Sequence, residues 1–289
     1  MATAPLSDVP RASAGEAIAI YTRNAAIWGA GDPVPETETL TTHLATLLLS
    51  SSSPPRPLRI LDLCTGTGCI PLHLYSLLTP HIPTPRLLGI DISPIAIRLA
   101  KQTLSHNITT TRLPPTAQAQ ISFVQGDIFA NSDAEAWRQA EWDVLISNPP
   151  YISPTSFDAT TARSVRNYEP KSALVPPLST SSAKSREAAA DIGDTFYPRL
   201  LEIAEQVSAR VLLVEVGDLQ QAIRVVEMVV EKGKSVWAGC EIWRDWPVGG
   251  GDGEVVEVQG GEVRVRGEGN GRAVLAWRGE EGGRMVGKK

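Results

Sequence analysis

The sequence predicts an α/β protein built on a doubly wound, mostly parallel sheet, and three observations point there. Short apolar runs alternate with segments of helical period; a glycine turn follows the first of those runs; and three runs in succession end on an aspartate. With 289 residues and 42% hydrophobic content, the chain has ample material for a packed core. Disorder is excluded on the same ground.

Charge and cysteine usage narrow the function classes. A net charge of −5 argues against affinity resting on phosphate neutralisation, so no direct nucleic-acid binding is expected. Cys64, Cys69 and Cys240 are odd in number and lack CxxC spacing, which suggests neither a disulfide framework nor a zinc site. His43, His73, His81 and His106 are scattered without ligand or triad spacing, and no metal is expected. No apolar stretch approaches the roughly 18 residues that span a bilayer, so no membrane association is expected. The first two dozen residues are rich in Ala, Ser and Thr and carry Arg11 and Arg23, while Asp8 and Glu16 dilute a transit-peptide reading. A mitochondrial location is the expectation, with a cytoplasmic one as the alternative.

Taken in order, residues 14–28 form a weakly amphipathic piece within a short N-terminal segment, 1–32. The stretch Pro33-Val34-Pro35-Glu36-Thr37-Glu38 then leads into a helix over 40–49, with Thr37 or Asp32 as cap and the acids complementing the helix dipole. Residues 50–57 read as a low-complexity linker. A buried strand over 58–63 meets the turn Asp62-Leu63-Cys64-Thr65-Gly66-Thr67-Gly68, and a helix follows over 70–78. A strand over 87–90 ends at Asp91, and Ser93 caps a helix over 93–104 with Pro94 at its first position. This is a βαβ unit. Strands over 121–124 and 144–146 are closed by Gly126-Asp127-Ile128-Phe129 and Ser147-Asn148-Pro149-Pro150-Tyr151. A long irregular region separates Tyr151 from Phe196 and includes a Ser/Ala-rich piece at 179–190. Helix 196–207, strand 211–216, helix 220–232 and strand 236–243 follow; a glycine-rich hairpin insertion at 248–271 and a last strand at 273–277 complete the chain. Trp237, Trp243, Trp246 and Trp277 are read as packing around these last strands.

The glycine turn lacks the third glycine of a dinucleotide fingerprint, because Pro71 stands in its place. Asp62, Asp91 and Asp127 end successive strands, and each could separately be a cap or turn residue. Together they line one sheet edge, the edge where ligands bind in open α/β sheets. Such an edge suits a ribose and a positive charge better than a pyrophosphate. Asp91 can accept from ribose hydroxyls and Asp127 from an adenine amino group, with Ile128 and Phe129 against the ring, while Asp62 favours an ammonium or sulfonium. S-adenosylmethionine meets all three demands. Neither proline of Asn148-Pro149-Pro150-Tyr151 can continue a ladder, so the loop places an amide, a stiff carbonyl and an aromatic ring together, suited to gripping a planar NH2 group.

These motifs resemble those of class I S-adenosylmethionine-dependent methyltransferases acting on planar nitrogen. More narrowly, Pro35-Glu36-Thr37-Glu38, Asn148-Pro149-Pro150-Tyr151-Ile152, Tyr168-Glu169-Pro170-Lys171-Ser172-Ala173-Leu174 and Leu213-Val214-Glu215-Val216-Gly217 resemble the release factor glutamine methyltransferase family (HemK/PrmC type). The resemblance covers residues 33–246 and resumes at 272–277. It implies a seven-stranded Rossmann-like methyltransferase sheet with an antiparallel C-terminal strand, spanning 33–289. It also implies S-adenosylmethionine as cofactor and a monomer that methylates a glutamine N5 in the Gly-Gly-Gln motif of a peptide chain release factor. Asp62, Cys64, Thr65, Gly66, Thr67, Gly68, Asp91, Asp127, Ile128 and Asn148 would bind the cofactor. Asn148, Pro149, Pro150, Tyr151, Glu36 and Glu169 would bind substrate, with Asn148, Pro149 and Tyr151 carrying the chemistry. Three departures stand out: Cys64 occupies a position the family usually gives to glycine, Val34 one it gives to arginine, and members usually carry several N-terminal helices where this chain has 1–32.

Two rivals are weighed against this reading. A methyltransferase of an exocyclic amine in DNA or RNA would use the same loop, with Arg163, Arg166 and Lys171 as the nearest basic cluster. A cofactor-binding, catalytically weak scaffold is the other. Glu215 ends a strand and could line the cleft or serve as a cap.

Overall fold

In a computed structural model of the chain, the residues described are 35–51, 57–82, 84–138, 140–160, 170–176, 191–233, 235–249, 254–259 and 261–288. Readings that fall on 1–34, Arg163, Arg166, Tyr168, Glu169 and 179–190 lie outside these.

The first half of the chain alternates strand and helix. Helix α1 (Pro35–Ser50) precedes β1 (Arg59–Leu63), α2 (Cys69–Leu78), β2 (Arg86–Asp91) and α3 (Pro94–Thr109). Short helix α4 (Ala117–Gln120) leads into β3 (Ile121–Gln125), and α5 (Glu135–Arg138) precedes β4 (Val144–Ser147). Ser93 caps α3 as expected, its hydroxyl accepting from the Ala96 amide at 3.2 Å with Pro94 at the first position. Thr37 is not the α1 cap: it lies inside the first turn, 5% exposed.

The second half supplies α6 (Pro154–Thr160), α7 (Lys171–Leu174), α8 (Tyr197–Gln206), β5 (Val211–Glu215), α9 (Leu219–Glu231) and β6 (Gly239–Trp246). It ends with β7 (Val255–Val258), β8 (Gly261–Arg266), β9 (Glu268–Trp277) and α10 (Gly279–Met285). One nine-stranded sheet runs in the order β3-β2-β1-β4-β5-β9-β6-β8-β7. The first five are parallel to their neighbours, and β9 enters antiparallel between β5 and β6. The seven expected strands are all present. Strands β7 and β8, from the glycine-rich insertion, extend the edge beyond them.

Successive side chains of the central strands bury on opposite faces, as a sheet covered on both sides requires. Leu61, Leu63, Leu145, Leu212 and Val214 join α8, α9, Trp137 and Trp142 in one core. Ile60, Val144, Ile146, Val211 and Leu213 join α1, α2 and α3 in the other. Trp237 and Trp243 pack as the sequence suggests, whereas Trp246 is 51% exposed at the extended edge.

Candidate active site

Because β3, β2, β1, β4 and β5 lie side by side and parallel, the chain leaves each of them on the same edge. Asp127, Asp91, Asp62, Asn148 and Glu215 thereby form a row across that edge. Asp62 pairs in register with Gly89 and Ile146, and Leu63 with Ile90 and Ser147, which sets Cys64 beside Asn148 at the middle of the row.

The turn after β1 is held from several sides. The Thr65 amide donates to the Ile90 carbonyl at 2.9 Å, and its hydroxyl donates to Asp62 Oδ2 at 2.5 Å. Gly68 has φ +79, and a Cβ there would stand 2.6 Å from the Phe123 ring, so both conformation and space require glycine. Cys64 stands at φ +61, in the left-handed region where side chains are disfavoured. Burial, followed by the charges of Asp91 and Asp62, pushes the Cys64 thiol well above its ordinary value.

The carboxylates differ in what they do. Asp91 accepts from the Gly66 amide and the Ser93 amide, both at 2.8 Å, so it organises the turn while remaining partly exposed. Asp127 accepts from the Phe129 amide at 2.9 Å, and its own amide donates to Asp133. Asp62 is 1% exposed, and burial holds its carboxyl well above the usual range, with Asp91 and Glu215 adding to the effect. Its Oδ1 has no hydrogen-bond partner among the described residues. An ammonium would satisfy that oxygen and favour its charged form. Over Gly66 nothing lies within 4 Å of where a Cβ would be. An orphaned buried carboxylate oxygen, an open glycine turn and a half-exposed Asp91 fit S-adenosylmethionine.

The side chain of Ile128 departs from the expected ring contact. It is 4% exposed, within the core. Its carbonyl accepts from Arg199 Nε at 2.7 Å, and Phe129 packs edge-on against Phe196 at 5.1 Å between centroids.

Pro149 and Pro150 are buried, and Asn148 and Tyr151 are half-buried. Among the described residues nothing donates to Asn148 Oδ1 or to the Pro149 carbonyl. The Tyr151 ring lies against Gly217, where a Cβ would come 3.2 Å from Cδ2. Its hydroxyl is pushed up to about 12 by burial and by Glu215, against Arg272. Glu36, on α1, has Oε2 buried without a hydrogen-bond partner. Glu215 is 4% exposed, and burial raises its carboxyl to about 8. It is not a helix cap; Asp218 caps α9.

Residues that sequence reasoning missed brace the loop from behind. Gln221 Nε2 donates to the Tyr151 carbonyl at 3.3 Å and to Asp194 Oδ1 at 2.9 Å, while its Oε1 accepts from the Gly217 amide at 2.7 Å. Asp194, fully buried, also pairs with Arg224 Nε at 2.6 Å. The Ile152 amide donates to the Leu174 carbonyl at 2.9 Å, which docks the Lys171–Leu174 turn beside the loop. The glutamine four residues after Gly217 was the available signal for the first of these.

Residues 56–185 match the family model described as a methyltransferase domain, and that is the class the sheet edge and its loops define. A probable mitochondrial MRF1 N(5)-glutamine methyltransferase of Schizosaccharomyces pombe is 38% identical over 121 residues, 42% of this chain and 36% of that protein. Release factor glutamine methyltransferases of Chlorobaculum tepidum and Haemophilus influenzae are 36% identical over 149 residues and 31% identical over 223. Those matches cover 50% and 74% of this chain, and 45% and 64% of the relatives. The chain thus spans less than two thirds of each of these proteins. Over these matched stretches the chain is similar to release factor glutamine methyltransferases.

Proposed function

We propose that this chain transfers the methyl group of S-adenosylmethionine to the side-chain amide nitrogen of a glutamine in a peptide chain release factor. The observation that carries the proposal is the pair of open acceptors, Asn148 Oδ1 and the Pro149 carbonyl, set beside the row of carboxylates that fits the cofactor. When bound, the cofactor supplies an electrophilic methyl on a sulfonium. An amide nitrogen is a poor nucleophile because its lone pair is delocalised into the carbonyl. Two acceptors, each taking one N–H, fix the rotation of the glutamine amide and leave its lone pair one open direction. The two prolines hold the carbonyl rigid, and Tyr151 walls the amide plane. No strong base is needed beforehand, since the surplus proton leaves after transfer. Glu36, whose Oε2 has no hydrogen-bond partner among the described residues, is a contact for the substrate segment. The names of the relatives support the glutamine acceptor, and the mitochondrial name of the fission yeast relative supports a mitochondrial location.

The test uses labelled cofactor and a release factor bearing Gly-Gly-Gln. Asn148→Ala should lower transfer by about a hundredfold or more while leaving calorimetric cofactor binding largely intact. Asp91→Ala should weaken cofactor binding. Normal turnover in Asn148→Ala would sink the mechanism.

A further inference from the structure

Behind the Asn148 side chain three polar groups, distant in sequence, form a chain. Thr37 Oγ1 donates to Glu215 Oε2 at 2.9 Å, across a sequence separation of 178 residues. Asn148 Nδ2 lies 3.4 Å from the same hydroxyl oxygen. A hydroxyl has one proton and otherwise accepts. With that proton on the carboxylate, Thr37 can meet Asn148 only as an acceptor. The two ends of an amide are alike in shape, so their hydrogen-bond partners alone choose between them. The NH2 of Asn148 is thus turned toward Thr37, leaving Oδ1 for the substrate.

We propose that Glu215, acting through the Thr37 hydroxyl, is a positioning residue that sets which end of the Asn148 amide faces the substrate. The proposal rests on the glutamine-methylating reading above, because a reversed Asn148 would aim N–H donors at a substrate NH2 and leave it no acceptor. It gives the third residue of Pro35-Glu36-Thr37-Glu38 a role at the reacting amide.

Several groups face the Glu215 carboxyl. Glu36 and Thr37 come from α1, Asp62 from β1, Tyr151 from the loop after β4, and Arg272 from β9. Tyr197, from α8, donates to the Glu215 backbone carbonyl at 3.0 Å. A protonated Glu215 can itself donate to Thr37, which frees the hydroxyl proton for Asn148 Oδ1 and reverses the amide. Orientation is therefore held above a pH of about 8 and released below it.

The experiment reads the amide directly and then through turnover. In isotope-labelled protein the Asn148 side-chain amide protons are assigned by their loss in Asn148→Ala. They should titrate with a midpoint near 8 in the wild type, stop titrating in Thr37→Val, and titrate again in Thr37→Ser. With the Gly-Gly-Gln release factor, Thr37→Val should lower kcat about tenfold with cofactor KM unchanged, and Thr37→Ser should recover it. Glu215→Gln keeps an acceptor for Thr37 and should remove the inflection in kcat. Wild-type kcat in Thr37→Val, or amide signals unaltered by it, overturns the proposal. If Thr37→Val does not fold, an inflection that persists in Glu215→Gln overturns it. A wild-type protein that methylates no glutamine refutes the proposed function instead, and the amide titration then decides the positioning role alone.

Discussion

Replacing Glu215 with glutamine should flatten part of the pH dependence of folding stability. The side chain is 4% exposed, and burial lifts its carboxyl from 4.5 to about 8, Thr37 and Arg272 offsetting only part of that rise. In the unfolded chain an unperturbed glutamate titrates near about 4.3. Between those values the folded protein keeps a proton that the unfolded chain has released, so stability falls as pH rises. The stabilising contribution is whole below the unfolded value and lost once the folded group ionises near 8. At about 1.36 kcal/mol per pH unit, the interval is worth at most about 5 kcal/mol. Urea denaturation of wild type and Glu215→Gln, from about pH 5 to about pH 8.5, measures it. The wild type should lose several kcal/mol relative to the variant across that range; Asp62, also raised by burial, is common to both proteins. Curves that stay parallel would refute the argument, because they would mean that the carboxyl ionises without resistance where it sits.

Two further predictions concern stability alone. At Cys64, with φ +61, glycine should be more stable than alanine by roughly 1 kcal/mol, reversing the order in ordinary backbone; thermal unfolding of Cys64→Gly and Cys64→Ala gives the comparison. Asp194→Ala removes the buried partner of Gln221 and of Arg224, whose side chain is partly exposed and can be hydrated, and should cost about 1 to 3 kcal/mol in chemical denaturation.

Most of the parallel half of the sheet was legible because β1, β2, β4 and β5 are buried on both faces and read as largely apolar runs, and because Ser93-Pro94 is a local cap signal. Asp62, Asp91 and Asp127 were legible for the same reason: they sit where each run stops. The bracing of the site was not. Thr37, Asn148 and Glu215 meet only after α1, β4 and β5 pack, and neither a threonine between two acids nor a glutamate at a strand end signals a partner so distant. Strand β6 begins at Gly239 and not at Val236 because the Val236 and Trp237 amides are taken by the Gly233 carbonyl in a turn. Helix α10, Gly279 to Met285, contains glycines that disfavour a helix. Packing decides there: a Cβ on Gly282 would stand 2.4 Å from the Arg210 carbonyl.

The antiparallel strand β9 sits between β5 and β6, yet it leaves the ribosome after the other eight strands. Until it arrives, β5 presents an open edge and β6, with the hairpin beyond it, has nothing to join. Its Arg272 is also the cation near Glu215 and Tyr151. During synthesis the chain therefore carries a half-sheet with a bare, apolar margin for as long as residues 216–277 take to emerge, a window in which a chaperone or a neighbouring nascent chain competes for β5. Closure of the sheet and completion of the site become a single late event.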